Sequence, residues 1–117
     1  MGERFQQITD DARTRIREVS PSQAQQEHAN GAVLIDVRES EEFARGHAKD
    51  AIHLSKGVIE LHIEAAVPDT STPIICYCGG GHRSLLVADN LQKMGYTNVA
   101  SMAGGFRNWI SIGLPTA

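Results

Sequence analysis
Residues 73–88, Pro73-Ile74-Ile75-Cys76-Tyr77-Cys78-Gly79-Gly80-Gly81-His82-Arg83-Ser84-Leu85-Leu86-Val87-Ala88, constrain the fold more than any other part of the chain. The run opens apolar and partly β-branched, which reads as a buried strand. Three glycines follow, so the backbone can turn sharply and the inner wall of the turn carries no side chains. From Arg83 an apolar stripe of Val87, Ala88, Leu91 and Met94 reads as a helix that Gly95 closes. Cys78 stands where strand becomes turn. The N–H groups of the turn, the positive end of the helix and Arg83 all favour its thiolate. That is the setting of a nucleophilic cysteine. Cys76 lies inside the apolar run and is read as core, with a resolving thiol for an oxidised Cys78 as its functional alternative.

The rest of the chain alternates strand and helix around this unit. Residues 17–19 read as a strand, and Ser20-Pro21 starts a helix that stops near Asn30-Gly31. Residues 32–37 are nearly all apolar, as a central parallel strand covered on both faces would be. Ser40 is placed to cap a short helix carrying Glu41 and Glu42 in its first turn. A short strand at 51–54 and a helix at 58–67, with Ile59, Ile63 and Ala66 inward, precede the loop at 68–73. A fifth strand at 98–102 leads to a last helix from Gly104-Gly105, with Phe106, Trp109 and Ile110 inward. The class is α/β with a mostly parallel sheet, and 117 residues suit one domain. Residues 1–17 are expected as an N-terminal extension or tail, with Phe5, Ile8, Ala12 and Ile16 on one face of a helix. Residues 18–117 are expected as the single domain.

In such sheets ligands bind beyond the carboxyl ends of strands. Asp36, Arg38 and Cys78 stand at two such ends, which fits a shared site. Asp36 is read as a fold-holding acceptor at a strand end, and Arg38 as a member of a structural ion pair or as a contact to an anionic substrate. Arg83 is read either as stabilising an anion directly or as pinning the loop through a carboxylate. His82 is read as an anion contact, a proton shuttle or a solvated loop residue. His47, His53 and His62 lack the spacing of a zinc site, so no metal is expected.

Cys78-Gly79-Gly80-Gly81-His82-Arg83-Ser84 resembles the Cys-x-x-x-x-Arg-Ser/Thr active-site loop of the rhodaneses. Leu34-Ile35-Asp36-Val37-Arg38-Glu39 is similar to that family's first signature. Residues 42–54, from Glu42-Phe43 through Gly46-His47 to Leu54, and residues 104–115, from Gly104-Gly105 through Trp109 to Gly113-Leu114-Pro115, resemble two more, in the family's order. The resemblance implies a rhodanese-like three-layer fold, with a mostly parallel five-stranded sheet flanked by helices. It also implies a thiosulfate or persulfide sulfurtransferase. Sulfur would pass through a persulfide on Cys78 to cyanide or a thiol, or to and from a sulfur-carrying protein. Gly79, Gly80, Gly81, His82, Arg83 and Ser84 would form the binding loop, and no metal or organic cofactor would be needed.

Two other classes share these features. One is a phosphatase or arsenate reductase; in the family's phosphatase relatives the loop resembles this one but is one residue longer. The other is a non-catalytic or sulfur-relay module that binds a partner protein. The triple glycine leaves few side chains to hold thiosulfate, which favours a protein-borne or small-thiol persulfide as donor. A net charge of −3 speaks against nucleic acid as a partner. No apolar run reaches the length of a membrane span, and with two closely spaced cysteines this makes the cytoplasm the expected compartment.

Overall fold
The computed structural model describes all residues, Met1–Ala117. Its elements are α1 (Glu3–Arg13), β1 (Arg17–Val19), α2 (Pro21–Ala29), β2 (Val33–Asp36), α3 (Ser40–Ala44), β3 (Ile52–His53), α4 (Ile59–Ala66), β4 (Ile74–Tyr77), α5 (Arg83–Lys93), β5 (Val99–Met102) and α6 (Gly105–Ser111). The five strands form one sheet in the order β1-β5-β4-β2-β3, and every pair runs parallel. An isolated antiparallel bridge joins Ala48 to Thr116 outside it. This is the expected α/β fold: a central five-stranded sheet flanked by helices.

Side chains alternate across a strand, so β4 feeds two cores at once. Cys76 and Cys78 face one layer, with Ala12 and Ile16 from the N-terminal segment, Ile59 and Ile63 from α4, and Leu85 and Leu91 from α5. Ile75 and Tyr77 face the other, with Ala24 of α2 and Phe106 and Trp109 of α6. In register, Asp36 of β2 stands beside Tyr77 of β4, and Val37 N–H donates to Tyr77 O at 2.9 Å. The chain therefore leaves β2 at Val37-Arg38 and β4 at Cys78 along the same edge of the sheet. No helix is long and apolar enough to cross a membrane.

Ser20 caps α2 as its sequence implies, accepting Gln23 N–H at 3.1 Å. Several local details differ from expectation. Glu39, not Ser40, stands at the N-cap of α3, and its N–H donates to the Glu42 carboxylate at 3.0 Å. In α1 the inward positions are Phe5, Thr9 and Ala12, while Ile8 is 52% exposed. Thr9 is tolerated inside because its hydroxyl donates to Gln6 O at 3.0 Å, which leaves no unpaired polar atom. Val67 rather than Ala66 closes the inner face of α4. Ile110 is 54% exposed, since Phe106 and Trp109 already fill the inner face of α6 and the next residue is turned about 100° away. The extension is tied to the domain by Arg15, which forks onto Asp89 of α5 with two contacts of 2.9 Å.

Candidate active site
Cys78 is 1% exposed and lies one residue beyond β4. Its Sγ accepts the N–H of Gly81 at 3.1 Å. Ser84, in the first turn of α5, puts its Oγ 3.5 Å from the same sulfur. The Ser84 hydroxyl is in turn paired with Ser101 Oγ of β5 at 2.8 Å, and both serines are buried. Of the turn's remaining N–H groups, those of Gly79, Gly80, His82, Arg83 and Ser84 donate to no protein acceptor. They are left without a partner inside the protein.

The turn is clamped from the side by the start of α6. Phe106 N–H donates to Cys78 O at 2.7 Å, and Arg107 N–H to Gly79 O at 3.2 Å. Gly81 adopts φ +98°, and a Cβ there would lie 2.8 Å from Gly104 N. Glycine is required at this position by backbone conformation and by contact alike.

Arg83 points its fork at Glu42 of α3, with Nη1 and Nη2 at 2.9 and 3.1 Å from the two carboxylate oxygens. The guanidinium holds the Glu42 carboxyl down at about 2, against the opposing effect of burial. Asp36 and Arg38 form a second, deeper pair. Asp36 is fully buried and Arg38 is 6% exposed. Arg38 Nη2 donates to Asp36 Oδ2 and to Gly46 O, each at 2.7 Å, and the guanidinium lies 4.5 Å from the Phe106 ring centroid. Every charge of this pair is answered within the fold, beside the site rather than in it.

His82 occupies the N-cap position of α5, half-buried, with its ring 6.4 Å from that of Phe5 in α1. Cys76 is fully buried, and burial first, then the neighbouring Cys78, pushes its thiol up to about 12. It is a neutral thiol near pH 7. His47 and His53 stack on Phe43, and one ring nitrogen of each is bonded to a backbone carbonyl.

The site therefore gathers Cys78, the glycine turn, Arg83 and Ser84, with Asp36 and Arg38 buttressing the adjoining edge. Three contributors escaped the sequence reading in these roles: Glu42 as the carboxylate for Arg83, Ser101 as the partner of Ser84, and Arg107, whose Nη1 lies 3.9 Å from where a Cβ on Gly80 would stand. The only sequence signal was the pairing of Gly104-Gly105 with the triple glycine, which hints at close approach of two backbones.

The family model for the rhodanese-like domain matches residues 20–112. The chain is 40% identical over 100 residues to the thiosulfate sulfurtransferase GlpE of Haemophilus influenzae, covering 86% of this chain and 93% of that protein. Among solved structures, the polysulfide-sulfur transferase homodimer of Wolinella succinogenes superposes with a TM-score of 0.83 at 25% identity, over 97% of this chain and 86% of that one. A Rhodopseudomonas palustris protein of unknown function, described as a possible tyrosine phosphatase, superposes with a TM-score of 0.89 at 27% identity, over 97% and 93%.

Proposed function
The chain belongs to the rhodanese-like domain family, and from that membership we propose that it is a sulfurtransferase working through a persulfide on Cys78. The observation that carries the reading is the turn itself. A buried sulfur sits at its mouth, and the N–H groups of Gly79, Gly80, His82, Arg83 and Ser84 have no protein acceptor. In the first half-reaction the Cys78 thiolate attacks the outer, sulfane sulfur of thiosulfate. A bond forms between Sγ and that sulfur, the donor's sulfur–sulfur bond breaks, and sulfite leaves with the electron pair. The new terminal sulfur carries the negative charge, and the free N–H groups stabilise it as an oxyanion hole would. In the second half-reaction cyanide or a thiolate attacks the terminal sulfur, and the Cys78 thiolate is restored. This is ping-pong covalent catalysis. Ser84, bridged to Ser101, offers Sγ a hydroxyl at hydrogen-bond range for sulfur in both halves.

The likeness to the Wolinella protein extends over α1, since it spans 97% of the chain, and it supports polysulfide or a persulfide as a second donor class. The likeness to the Rhodopseudomonas protein raises phosphoryl chemistry. Two features weigh against it. Four residues separate Cys78 from Arg83, a turn sized for one sulfur atom rather than a tetrahedral anion. The guanidinium of Arg83, which such an anion would require, is forked onto Glu42. Assaying the protein with thiosulfate plus cyanide, and separately with an aryl phosphate and arsenate, discriminates between them. Thiocyanate formation without phosphate release is expected. Cys78-dependent aryl phosphate hydrolysis without sulfur loading would transfer the protein to the phosphatase class.

A further inference from the structure
A loop of three glycines has no side chain with which to hold the oxygens of an anionic donor. We propose that Arg107 of α6 supplies that missing contact and selects dianionic donors such as thiosulfate. This rests on the sulfurtransferase reading and names the residue that gives it its donor preference.

Three observations place Arg107 in this role. Its backbone N–H is fixed to Gly79 O at 3.2 Å, and the preceding Phe106 N–H to Cys78 O at 2.7 Å, so its Cα is positioned by the catalytic turn itself. Its Nη1 lies 3.9 Å from the position a Cβ on Gly80 would take, which brings the guanidinium alongside the middle of the turn. It is exposed and takes part in no ion pair or side-chain hydrogen bond. The other arginines near the turn differ on this last point: Arg83 is neutralised by Glu42 and Arg38 by Asp36. Arg107 is thus the uncompensated cation beside the turn, on a chain whose net charge of −3 would otherwise repel a dianion. Glycine at position 80 keeps the space between guanidinium and turn free. The sulfonate oxygens of thiosulfate would meet Arg107 while the sulfane sulfur enters the turn toward Sγ. The cation then binds the departing sulfite group and takes no part in the bond to Cys78.

The half-reaction with donor alone tests this. Loading of sulfur onto Cys78 is followed against donor concentration, with thiosulfate as the dianion and methanethiosulfonate as the monoanion. For Arg107→Ala the half-saturating thiosulfate concentration should rise about tenfold, and that of methanethiosulfonate about threefold, with maximal loading rates within about twofold. Arg107→Lys should restore most of the thiosulfate affinity, and added salt should weaken thiosulfate binding in the wild type more than in Arg107→Ala. If Arg107→Ala leaves half-saturation by thiosulfate unchanged, or weakens both donors equally, the inference is wrong while the sulfurtransferase reading stands. Wild-type protein that takes up sulfur from neither donor sinks both.

Discussion
Replacing Gly81 by alanine tests whether the turn's geometry is held in place from outside. Gly81 has φ +98°, where an L side chain is strained by about 1–2 kcal/mol. Its new Cβ would also stand 2.8 Å from Gly104 N, a backbone atom that cannot swing away. Forcing the two apart adds roughly 1–3 kcal/mol, by analogy with overpacked cores. The total, roughly 2–5 kcal/mol, is a large part of the 5–15 kcal/mol typical of a domain, but it leaves a folded population. A melting temperature lower by roughly 10–20 °C is expected. The same shift moves the Gly81 N–H from its 3.1 Å contact with Cys78 Sγ, so sulfur loading measured well below the melting point should slow as well. Gly80→Ala is the control. There φ is not positive and the nearest atom is the end of the flexible Arg107 side chain at 3.9 Å. It should be neutral, or more stable by up to about 1 kcal/mol because the unfolded chain loses freedom. Urea denaturation of both variants decides the matter. If Gly81→Ala falls within about 1 kcal/mol of Gly80→Ala, the steric argument fails.

Other substitutions read out separate parts of the site. Glu42→Gln removes the partner of Arg83 and should slow sulfur loading. Because the Glu42 carboxyl is held at about 2 in the fold, its contribution is present above the usual carboxylate range and is lost as pH falls toward 2. For a pair about one-third exposed this is about 1 kcal/mol after screening, so the wild-type advantage over Glu42→Gln in urea should shrink between about pH 5 and 2. Asp36→Asn leaves the buried Arg38 charge uncompensated and should cost about 3–5 kcal/mol in denaturant titration, whatever its effect on turnover. Cys76→Ser places a hydroxyl at a fully buried apolar site and should lose about 1–3 kcal/mol while still loading sulfur. Loss of loading in a folded Cys76→Ser protein would make Cys76 a participant.

What could be read from the chain, and what could not, divides by sequence distance. The strand, triple glycine and helix around Cys78 were legible because each signal is local: a β-branched run, a side-chain-free turn, a stripe at helical spacing. Glu42 lies 41 residues from Arg83, and Ser101 17 residues from Ser84. Their meeting depends on β4 lying between β2 and β5, an order that no local pattern encodes. Arg107 reaches the middle of the turn from α6 across a separation that no local pattern spans either. The small errors have a different origin. Periodicity favoured Ile8 over Thr9 because it weighs apolarity alone, whereas a threonine bonded to its own helix can be buried and an isoleucine left outside. Ile110 is apolar and expected inward, yet seven residues of α6 present only a narrow face to the sheet, which Phe106 and Trp109 fill.

The most direct test of sulfur transfer through Cys78 is the intact mass of the protein after brief exposure to thiosulfate, followed by cyanide, in wild type and in Cys78→Ser. The wild type should gain the mass of one sulfur atom, with the modification mapping to Cys78, and lose it on addition of cyanide as thiocyanate appears. Cys78→Ser should gain nothing. A wild-type protein that gains no sulfur from thiosulfate or a polysulfide, or a Cys78→Ser protein that gains it equally, would contradict persulfide chemistry at this site.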